Sequence, residues 1–181
     1  SLDGRKEVND RLRVRVNGAG CYDRIVPQFQ KLVATRNGKD YYVRGTFTRN
    51  NLDFSEDVFH LYDQGFDQIS VEPVVEDPKV EYAITEEDLD QICKEYDRLA
   101  DRLMELKKNG GFLNFFHFMI DLEQGPCVIK RLRGCGSGNE YVSITPDGDI
   151  YPCHQFVGHE EYCMGNIEEG TFNEEIKKEF A

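Results

Sequence analysis

Residues 127–167 read CVIKRLRGCGSGNEYVSITPDGDIYPCHQFVGHEEYCMGNI. Within this stretch, residues 141–145 (YVSIT) alternate between large apolar and small polar side chains, as strand residues do. Residues 146–149 (PDGD) have the composition of a tight turn, and residues 150–151 begin a return strand. The pattern predicts a β-hairpin, around which the C-terminal part of the chain is organised.

Four of the six cysteines of the chain lie in the same stretch, at positions 127, 135, 153 and 163. Closing the hairpin brings Cys135, which precedes the first strand, near Cys153, which follows the second. Thiolates gathered in this way can hold a soft metal ion or an iron–sulfur cluster. We therefore predict that Cys127, Cys135 and Cys153 bind a metal centre. Cys163 is a further ligand candidate that can equally face the core.

Other interpretations of these cysteines stay open at this point. A zinc ribbon would contain two C-x-x-C knuckles, and the sequence contains none. A disulfide is possible, although nothing else in the sequence indicates a small secreted scaffold. Buried free cysteines are common and need no function.

Composition narrows the class of function. The 34 acidic and 22 basic residues give a net charge of −12, which disfavours nucleic acid and anionic membrane surfaces as partners. No apolar run reaches the length of a membrane span, and no signal-peptide pattern opens the chain. Six cysteines in an ordinary globular composition favour a reducing compartment, the cytoplasm. Because the chain opens on Ser1 and stops within a charged helical pattern, we expect an internal piece of a longer protein.

The part before the hairpin alternates between helix and strand patterns. Residues 22–33 have apolar residues at helical spacing. Residues 41–48 (YYVRGTFT) are rich in strand-forming residues, and a helix follows with Asp53 as its N-cap and Glu56 as the capping-box partner. Residues 69–75 form the next strand, so this region predicts a βαβ unit with parallel strands and a right-handed crossover.

Two further helices are predicted before the hairpin. Thr85 and Asp88 form a capping box at the start of a long amphipathic helix. Cys93 lies on the apolar face of that helix and is expected to pack in the core. Residues 112–122 (FLNFFHFMIDL) are too apolar for a surface and predict a buried helix, in which His117 would be a hydrogen-bonded core residue.

Two motifs resemble one enzyme superfamily. Residues 1–4 (SLDG), followed by a β/α run, resemble the end of the fourth strand of a radical S-adenosylmethionine (SAM) barrel in SPASM-type members. Cys135, Gly148 and Cys153, separated by twelve and four residues, are similar to the opening of the SPASM motif. Residues 153–167 resemble the continuation in peptide-modifying members, most closely the maturases of six-cysteine (SCIFF) peptides, which make thioether crosslinks.

Together with residues 43–51 (VRGTFTRNN), this resemblance covers essentially the whole chain. It implies an α/β fold with two parts. Residues 1–124 would be the C-terminal half of a radical SAM partial (β/α) barrel with parallel strands. Residues 125–181 would be the first half of a SPASM domain, with the hairpin that holds an auxiliary cluster.

The resemblance also assigns metal ligands. Cys135 and Cys153 match ligands of the first auxiliary [4Fe–4S] cluster, and Cys127 matches an extra upstream ligand. His154 stands where some relatives have an aspartate that works as a base. Its imidazole can take a proton near neutral pH, and it can equally hydrogen-bond to the cluster or stay exposed.

A second set of residues is implied on the SAM side. Ser1 and Asp3 match the SAM-side motif, and Thr46 and Thr48 are expected to point from the next strand towards the same opening. In a barrel of parallel β/α units the chemistry lies at the carboxyl ends of the strands, where these residues should meet.

The parent protein implied by the resemblance is a radical SAM peptide maturase. It would abstract hydrogen from a ribosomally made, cysteine-rich peptide and form a thioether crosslink, with ferredoxin or flavodoxin as electron donor. The sequence contains no C-x-x-x-C-x-x-C loop, which such an enzyme needs for the cluster that cleaves SAM. We therefore expect the chain to be inactive alone. The alternative is a non-enzymatic peptide-binding scaffold in which the three cysteines hold zinc.

Overall fold

The computed structural model describes residues 1–119, 123 and 134–180. The chain divides into two compact units, Ser1–Met119 and Ile120–Ala181. The predicted boundary between residues 124 and 125 lies outside the described residues. Within the described ranges, no helix is both long and apolar enough to cross a membrane.

The first unit is a parallel sheet with helices between its strands. The strand order is β1-β2-β3, and both strand pairs are parallel, which confirms the predicted βαβ unit. Val43 lies beside Ile69, and Gln68 lies beside Asn114. The elements are α1 (Lys6–Leu12), α2 (Tyr22–Thr35), β1 (Val43–Phe47), α3 (Phe54–Asp63), β2 (Gln68–Pro73), α4 (Leu89–Lys108) and β3 (Asn114–Phe115).

The two faces of this sheet differ in chemistry because side chains alternate along each strand. One face is apolar and buried with the helices in a single core, whose central contact is the stacked pair Phe47 and Phe54, with ring centroids 4.1 Å apart. Burying each large side chain of this kind contributes about 1.5–3 kcal/mol. The other face carries polar side chains, at Arg44, Thr46, Gln68, Ser70 and Glu72.

The N-terminal segment runs along the outer edge of β1. The Leu2 amide donates to the Arg44 carbonyl at 2.9 Å, and the Leu2 side chain is fully buried. Gly45 permits this approach, because a Cβ there would lie 2.6 Å from the Leu2 carbonyl oxygen and 2.9 Å from the Asp3 Cα. The SLDG segment is thereby fixed beside the first strand of the sheet.

Three predictions for this unit are wrong. Residues 112–119 are not a buried helix: they contain β3 and a 3₁₀ turn (Phe116–Phe118), because the backbone of β3 completes the sheet beside β2. Residues 120–122 of that predicted helix lie outside the described residues. Asp53 occupies the N-cap of α3 without capping it, since its carboxylate binds Arg5 instead. Cys93 is exposed, because the buried face of α4 is centred on Ile92 and Leu99.

The second unit contains a four-stranded antiparallel sheet of order β4-β5-β6-β7. The predicted hairpin is confirmed, with Ser143 opposite Tyr151 and Ile144 opposite Ile150. Its turn is closed by the Gly148 amide, which donates to the Thr145 carbonyl at 3.0 Å, and Gly148 has a φ of +87°. The elements are β4 (Ser143–Ile144), β5 (Asp149–Tyr151), β6 (Gly165–Asn166), β7 (Thr171–Phe172) and α5 (Glu174–Glu179).

Candidate functional site

The first candidate site is a cleft at the carboxyl end of β1. Asp3, Thr46 and Thr48, three of the four residues predicted on the SAM side, line this cleft together. Ser1 is exposed and does not line it. The remaining lining residues are Val8, Arg11, Leu12, Asn50 and Asn51. Parallel strands place functional groups at this end of a sheet, so the cleft lies where a barrel enzyme binds its ligand.

Asp3 is fixed in this cleft by three hydrogen bonds to its carboxylate. Oδ1 accepts from the Thr46 amide at 3.0 Å and from Arg13 Nη2 at 3.0 Å, and Oδ2 accepts from Arg13 Nε. The side chain is buried, and its charge is balanced by the Arg13 guanidinium. A carboxylate offers about four lone-pair directions. Asp3 therefore keeps the capacity to accept one further hydrogen bond from a ligand.

Thr48 is held by a capping box in the turn after β1. Its hydroxyl accepts from the Asn50 amide at 3.2 Å and donates to Asn51 Oδ1 at 3.0 Å, and its own amide donates to the same oxygen at 2.9 Å. Asn51 in turn donates from Nδ2 to Asp57 Oδ2 at 3.0 Å. The orientation of this wall of the cleft is therefore set by a buried carboxylate on α3.

Asp57 is the centre of this polar network and is fully buried. Its Oδ1 accepts from the Arg5 amide and from Arg5 Nε, each at 2.9 Å. Gly4 packs so closely on Asp57 that a Cβ at position 4 would lie 2.3 Å from the Asp57 Cβ. The Asp57 side chain thus connects the SLDG loop to the turn that carries Thr48.

A second polar cluster lies on the open face of the sheet. Glu72, which is paired with Thr46 in register, binds Arg44 Nη2 at 2.8 Å and accepts from the Ser70 hydroxyl at 3.0 Å. Arg44 above all, with Ser70 and His117, holds the pKa of Glu72 below its usual range. The carboxylate is therefore ionised near neutral pH. His117 faces the Tyr96 hydroxyl at 3.5 Å, so the predicted hydrogen bond is present, but the side chain is half-buried and does not lie in the core.

The candidate metal centre lies in the second unit, where two loops carry Cys135 and Cys153. The Gly138 amide donates to the Pro152 carbonyl at 2.9 Å and to the Tyr141 carbonyl at 3.0 Å. The bond between Gly138 and Pro152 joins the loop after Cys135 to the residue before Cys153. The hairpin has brought the two predicted ligands to adjoining backbone segments.

Tyr141 connects the two thiols electrostatically. Its hydroxyl donates to Cys135 Sγ at 3.7 Å. Cys135 above all, with burial and Cys153, raises the pKa of Tyr141. The Ser137 amide and the Tyr141 hydroxyl lower the pKa of the Cys135 thiol, which favours the thiolate that binds metals.

Three other residues were predicted at this centre: Cys127, His154 and Cys163. Cys127 lies outside the described residues. Cys163 donates from Sγ to the Gly165 carbonyl at 3.6 Å, and His154 is exposed beside the buried Cys153. Over 1–119, 123 and 134–180, no group of three or more His, Cys, Asp and Glu is gathered tightly enough for a metal ion. Cys163 and His154 therefore stay predictions.

Soft thiol donors on adjoining loops fit an iron–sulfur cluster or a zinc ion. Sequence reasoning missed Ser137, Arg13, Asn51 and Asp57. No local pattern marks these residues, because their roles depend on partners that are distant in the sequence, such as Arg13 with Asp3 and Asn51 with Asp57.

Part of the second unit matches a known protein family. The SPASM family, described as an iron-sulfur cluster-binding domain, matches residues 135–180. The cysteine-type anaerobic sulfatase-maturating enzyme of Clostridium novyi (strain NT) is 26% identical over 188 residues, which cover 96% of this chain and 47% of that protein.

Solved structures show the same fold. Native anSMEcpe with bound AdoMet and Kp18Cys peptide superposes with a TM-score of 0.70 at 18% identity, covering 99% of this chain and 51% of that one. Native anSMEcpe with bound AdoMet gives a TM-score of 0.69 at 18% identity, covering 99% and 50%. The chain spans about half the length of the relatives it matches. These matches confirm the predicted resemblance to SPASM-type radical SAM enzymes that modify peptides.

Proposed function

We propose that this chain forms one wall of the AdoMet pocket and holds the first auxiliary cluster of a radical SAM enzyme that modifies a peptide. The observation that carries the proposal is the joining of the Cys135 and Cys153 loops by the Gly138–Pro152 hydrogen bond, within the SPASM match. The cleft at the end of β1 supports it independently. The whole enzyme would need a segment with the C-x-x-x-C-x-x-C loop, which this sequence lacks.

In the cleft, each proposed AdoMet contact has a defined chemical capacity. Asp3 can accept one more hydrogen bond, which suits a hydroxyl of AdoMet. Thr46 and Thr48 line the same space, whereas Ser1 is exposed and does not line it. Arg13 fixes the orientation of the Asp3 carboxylate through two hydrogen bonds and balances its charge.

In the second unit, Cys127, Cys135 and Cys153 would hold a [4Fe–4S] cluster, with Cys163 as a further candidate. When bound, the cluster would bind a peptide thiol or transfer an electron. The lowered pKa of Cys135 favours the deprotonated ligand. His154 follows Cys153 directly and is exposed, so its imidazole can accept a proton from a substrate at this centre.

The proposed substrate is a cysteine-containing peptide made by the ribosome. Two relatives support this class: one is a cysteine-type maturating enzyme, and another is solved with the Kp18Cys peptide. The product we propose is a thioether, in which a cysteine sulfur replaces hydrogen on a backbone carbon. The thiol hydrogen and one carbon-bound hydrogen are lost. The 5′-deoxyadenosyl radical formed from AdoMet would take the carbon-bound hydrogen atom, the thiol hydrogen would leave as a proton, and the one remaining electron would pass to the centre that Cys135 and Cys153 would hold. A ferredoxin or flavodoxin would supply the electron that cleaves AdoMet.

The first test concerns the cluster. The chain is purified without oxygen, reconstituted with iron and sulfide, and analysed for both elements and for iron–sulfur absorption. Bound iron and sulfide in near-equal amounts support the proposal. A colourless protein that holds one zinc ion overturns it and favours the peptide-binding scaffold.

The second test concerns activity. Incubation of the chain alone with AdoMet and dithionite should yield no 5′-deoxyadenosine, because the sequence contains no C-x-x-x-C-x-x-C loop. The enzyme that includes that loop should convert a cysteine peptide to a product lighter by two hydrogens and with one fewer free thiol. A modified single cysteine without a crosslink would instead indicate the sulfatase-maturating type of reaction.

A further inference from the structure

Phe180, the residue that follows α5, packs on the main-chain bond between the loops of Cys135 and Cys153. That bond runs from the Gly138 amide to the Pro152 carbonyl. A Cβ placed on Gly138 would lie 2.9 Å from the Phe180 Cβ and 3.2 Å from the Pro152 Cβ. Gly138 also has a φ of +73°, which favours glycine. Only a residue without a side chain therefore leaves room for both Phe180 and Pro152.

The Phe180 ring also belongs to an aromatic cluster with Phe156 and Tyr162. Its centroid lies 5.2 Å from that of Phe156 and 6.0 Å from that of Tyr162, and both contacts are edge-on. Phe156 follows Cys153 by three residues, and Tyr162 directly precedes Cys163. Edge-on aromatic pairs stabilise a contact beyond the burial of their area. Phe180 thus connects the segments that follow Cys153 and precede Cys163.

The helix that leads to Phe180 is fixed at its other end. Asn173 Oδ1 accepts from the Glu175 amide at 3.0 Å and from the Ile176 amide at 3.4 Å. The Asn173 amide donates to the Met164 carbonyl at 2.6 Å. A helix of six residues has little stability of its own, so its position depends on these attachments at its two ends.

We propose that Phe180 is a positioning residue of the candidate metal centre, and that it holds the Cys135 loop against the Cys153 loop so that both thiols bind one group. The inference rests on the proposed function for the identity of that group. Phe180 offers no metal ligand and acts through its contact with Gly138. Without it, metal binding would have to supply the free energy of bringing the two loops together. Docking of Phe180 and loading of the centre should therefore favour each other.

The first test measures amide hydrogen exchange by NMR in the metal-free chain. Phe180→Ala should speed exchange of the Gly138 amide about tenfold or more, because its bond to Pro152 loses the side chain packed on it. The Met164 amide, which donates to the Ile150 carbonyl at 2.7 Å beside the antiparallel sheet, should exchange as in the wild type. Unchanged exchange at Gly138 would overturn the inference. Equal acceleration at Met164 would overturn it too, because it would show a general loss of stability.

The second test measures how firmly the reconstituted chain keeps its iron. Phe180→Ala should release iron to the chelator ferrozine about tenfold faster than the wild type. Phe180→Tyr keeps the ring and should release iron at the wild-type rate. Phe172→Ala is the matched control, since Phe172 lies on β7, is 45% exposed and faces the Lys177 ammonium. Release at the wild-type rate in Phe180→Ala, or equal acceleration in Phe172→Ala, would overturn the inference.

The inference and the proposed function fail in different ways. If the wild-type chain binds no iron and sulfide, the proposed function fails, and the exchange experiment still tests whether Phe180 holds the two loops together. If the wild type holds a cluster and Phe180→Ala keeps it as firmly, only the inference fails.

Discussion

The two units of this chain hold their functional groups in opposite ways. At the cleft of the first unit, Asp3 and Asp57 are buried carboxylates whose partners, Arg13 and Arg5, are supplied by the protein itself. At the cysteine loops of the second unit, the loops of Cys135 and Cys153 are joined by a main-chain hydrogen bond from Gly138 to Pro152. The first site is held by paired side-chain charges, and the second by the backbone.

This difference follows from what each site is proposed to bind. A pocket for a diffusible ligand must keep its geometry while empty, because the ligand enters and leaves in each cycle. A resident metal centre can instead contribute part of the folding free energy, as structural metals do in small domains. We therefore expect the first unit to be stable without cofactor and the second to gain stability when its cysteines are loaded.

The largest effect should come from removing a ligand. Cys153→Ser should lower bound iron and sulfide to near zero after reconstitution, because Cys153 is a buried member of the thiol pair. Metal analysis and absorption spectra measure this loss. Cys93→Ser, at an exposed position on α4, is the control and should bind as much iron as the wild type. Full iron content in Cys153→Ser would contradict the assignment.

The next largest effect is expected in the hydrogen-bond network around the buried Asp57 carboxylate of the first unit. Asp57→Ala should destabilise the first unit by about 3 kcal/mol, because it leaves the donors of Arg5 and Asn51 without their buried acceptor. Urea unfolding monitored by circular dichroism measures it. Asp63→Ala, at the exposed end of α3, should cost less than about 0.5 kcal/mol.

The same variant also tests the independence of the two sites. Asp57→Ala should leave iron content in the second unit at the wild-type level, since none of the hydrogen bonds of Asp57 involves that unit. A parallel loss of iron would show that the two sites are coupled, and the contrast between them would have to be abandoned.

A smaller, pH-dependent effect is expected at the start of α4. The Thr85 amide above all, with Arg49, holds the pKa of Asp88 below its usual range. A depressed carboxylate pKa stabilises the fold above the unfolded-state value of about 3.9, and this contribution is lost as the pH falls through the folded-state pKa. Asp88→Asn should therefore be less stable than the wild type at pH 7, and the difference should shrink below about pH 4. Urea unfolding across this range tests it; a difference independent of pH would contradict it.

The smallest effect is expected at Cys163. Its thiol donates to the Gly165 carbonyl and is not gathered with two other metal-binding side chains among the described residues. Cys163→Ser should therefore retain most of the iron of the wild type and keep the hydrogen bond to Gly165. Loss of a quarter or more of the iron would instead make Cys163 the fourth ligand.

Elements with local chemical signals could be predicted from the sequence. The hairpin was predictable because its turn residues and strand alternation lie within about ten residues of each other. The capping box of Thr85 and Asp88 was predictable for the same reason, and the structure confirms it. The βαβ unit was predictable because its apolar patterns change period at the element boundaries.

Elements that depend on distant partners could not be predicted. Residues 112–119 have an apolar composition that suits a helix, and only the free edge of β2 makes Asn114 and Phe115 a strand. Asp53 has a good N-cap sequence, yet Arg5, far away in the chain, takes its carboxylate. At the sites, motifs indicated Asp3 and the cysteines, whereas Ser137 and Asp57 became visible only through burial.

The hydrogen bond from Gly138 to Pro152 has a consequence for how the centre is assembled. It links the loops of the two thiols through main-chain atoms, so the link does not depend on a charged or polar side chain. Exchange of the polar side chains around the two loops should therefore disturb their approach less than a change in the course of the main chain would.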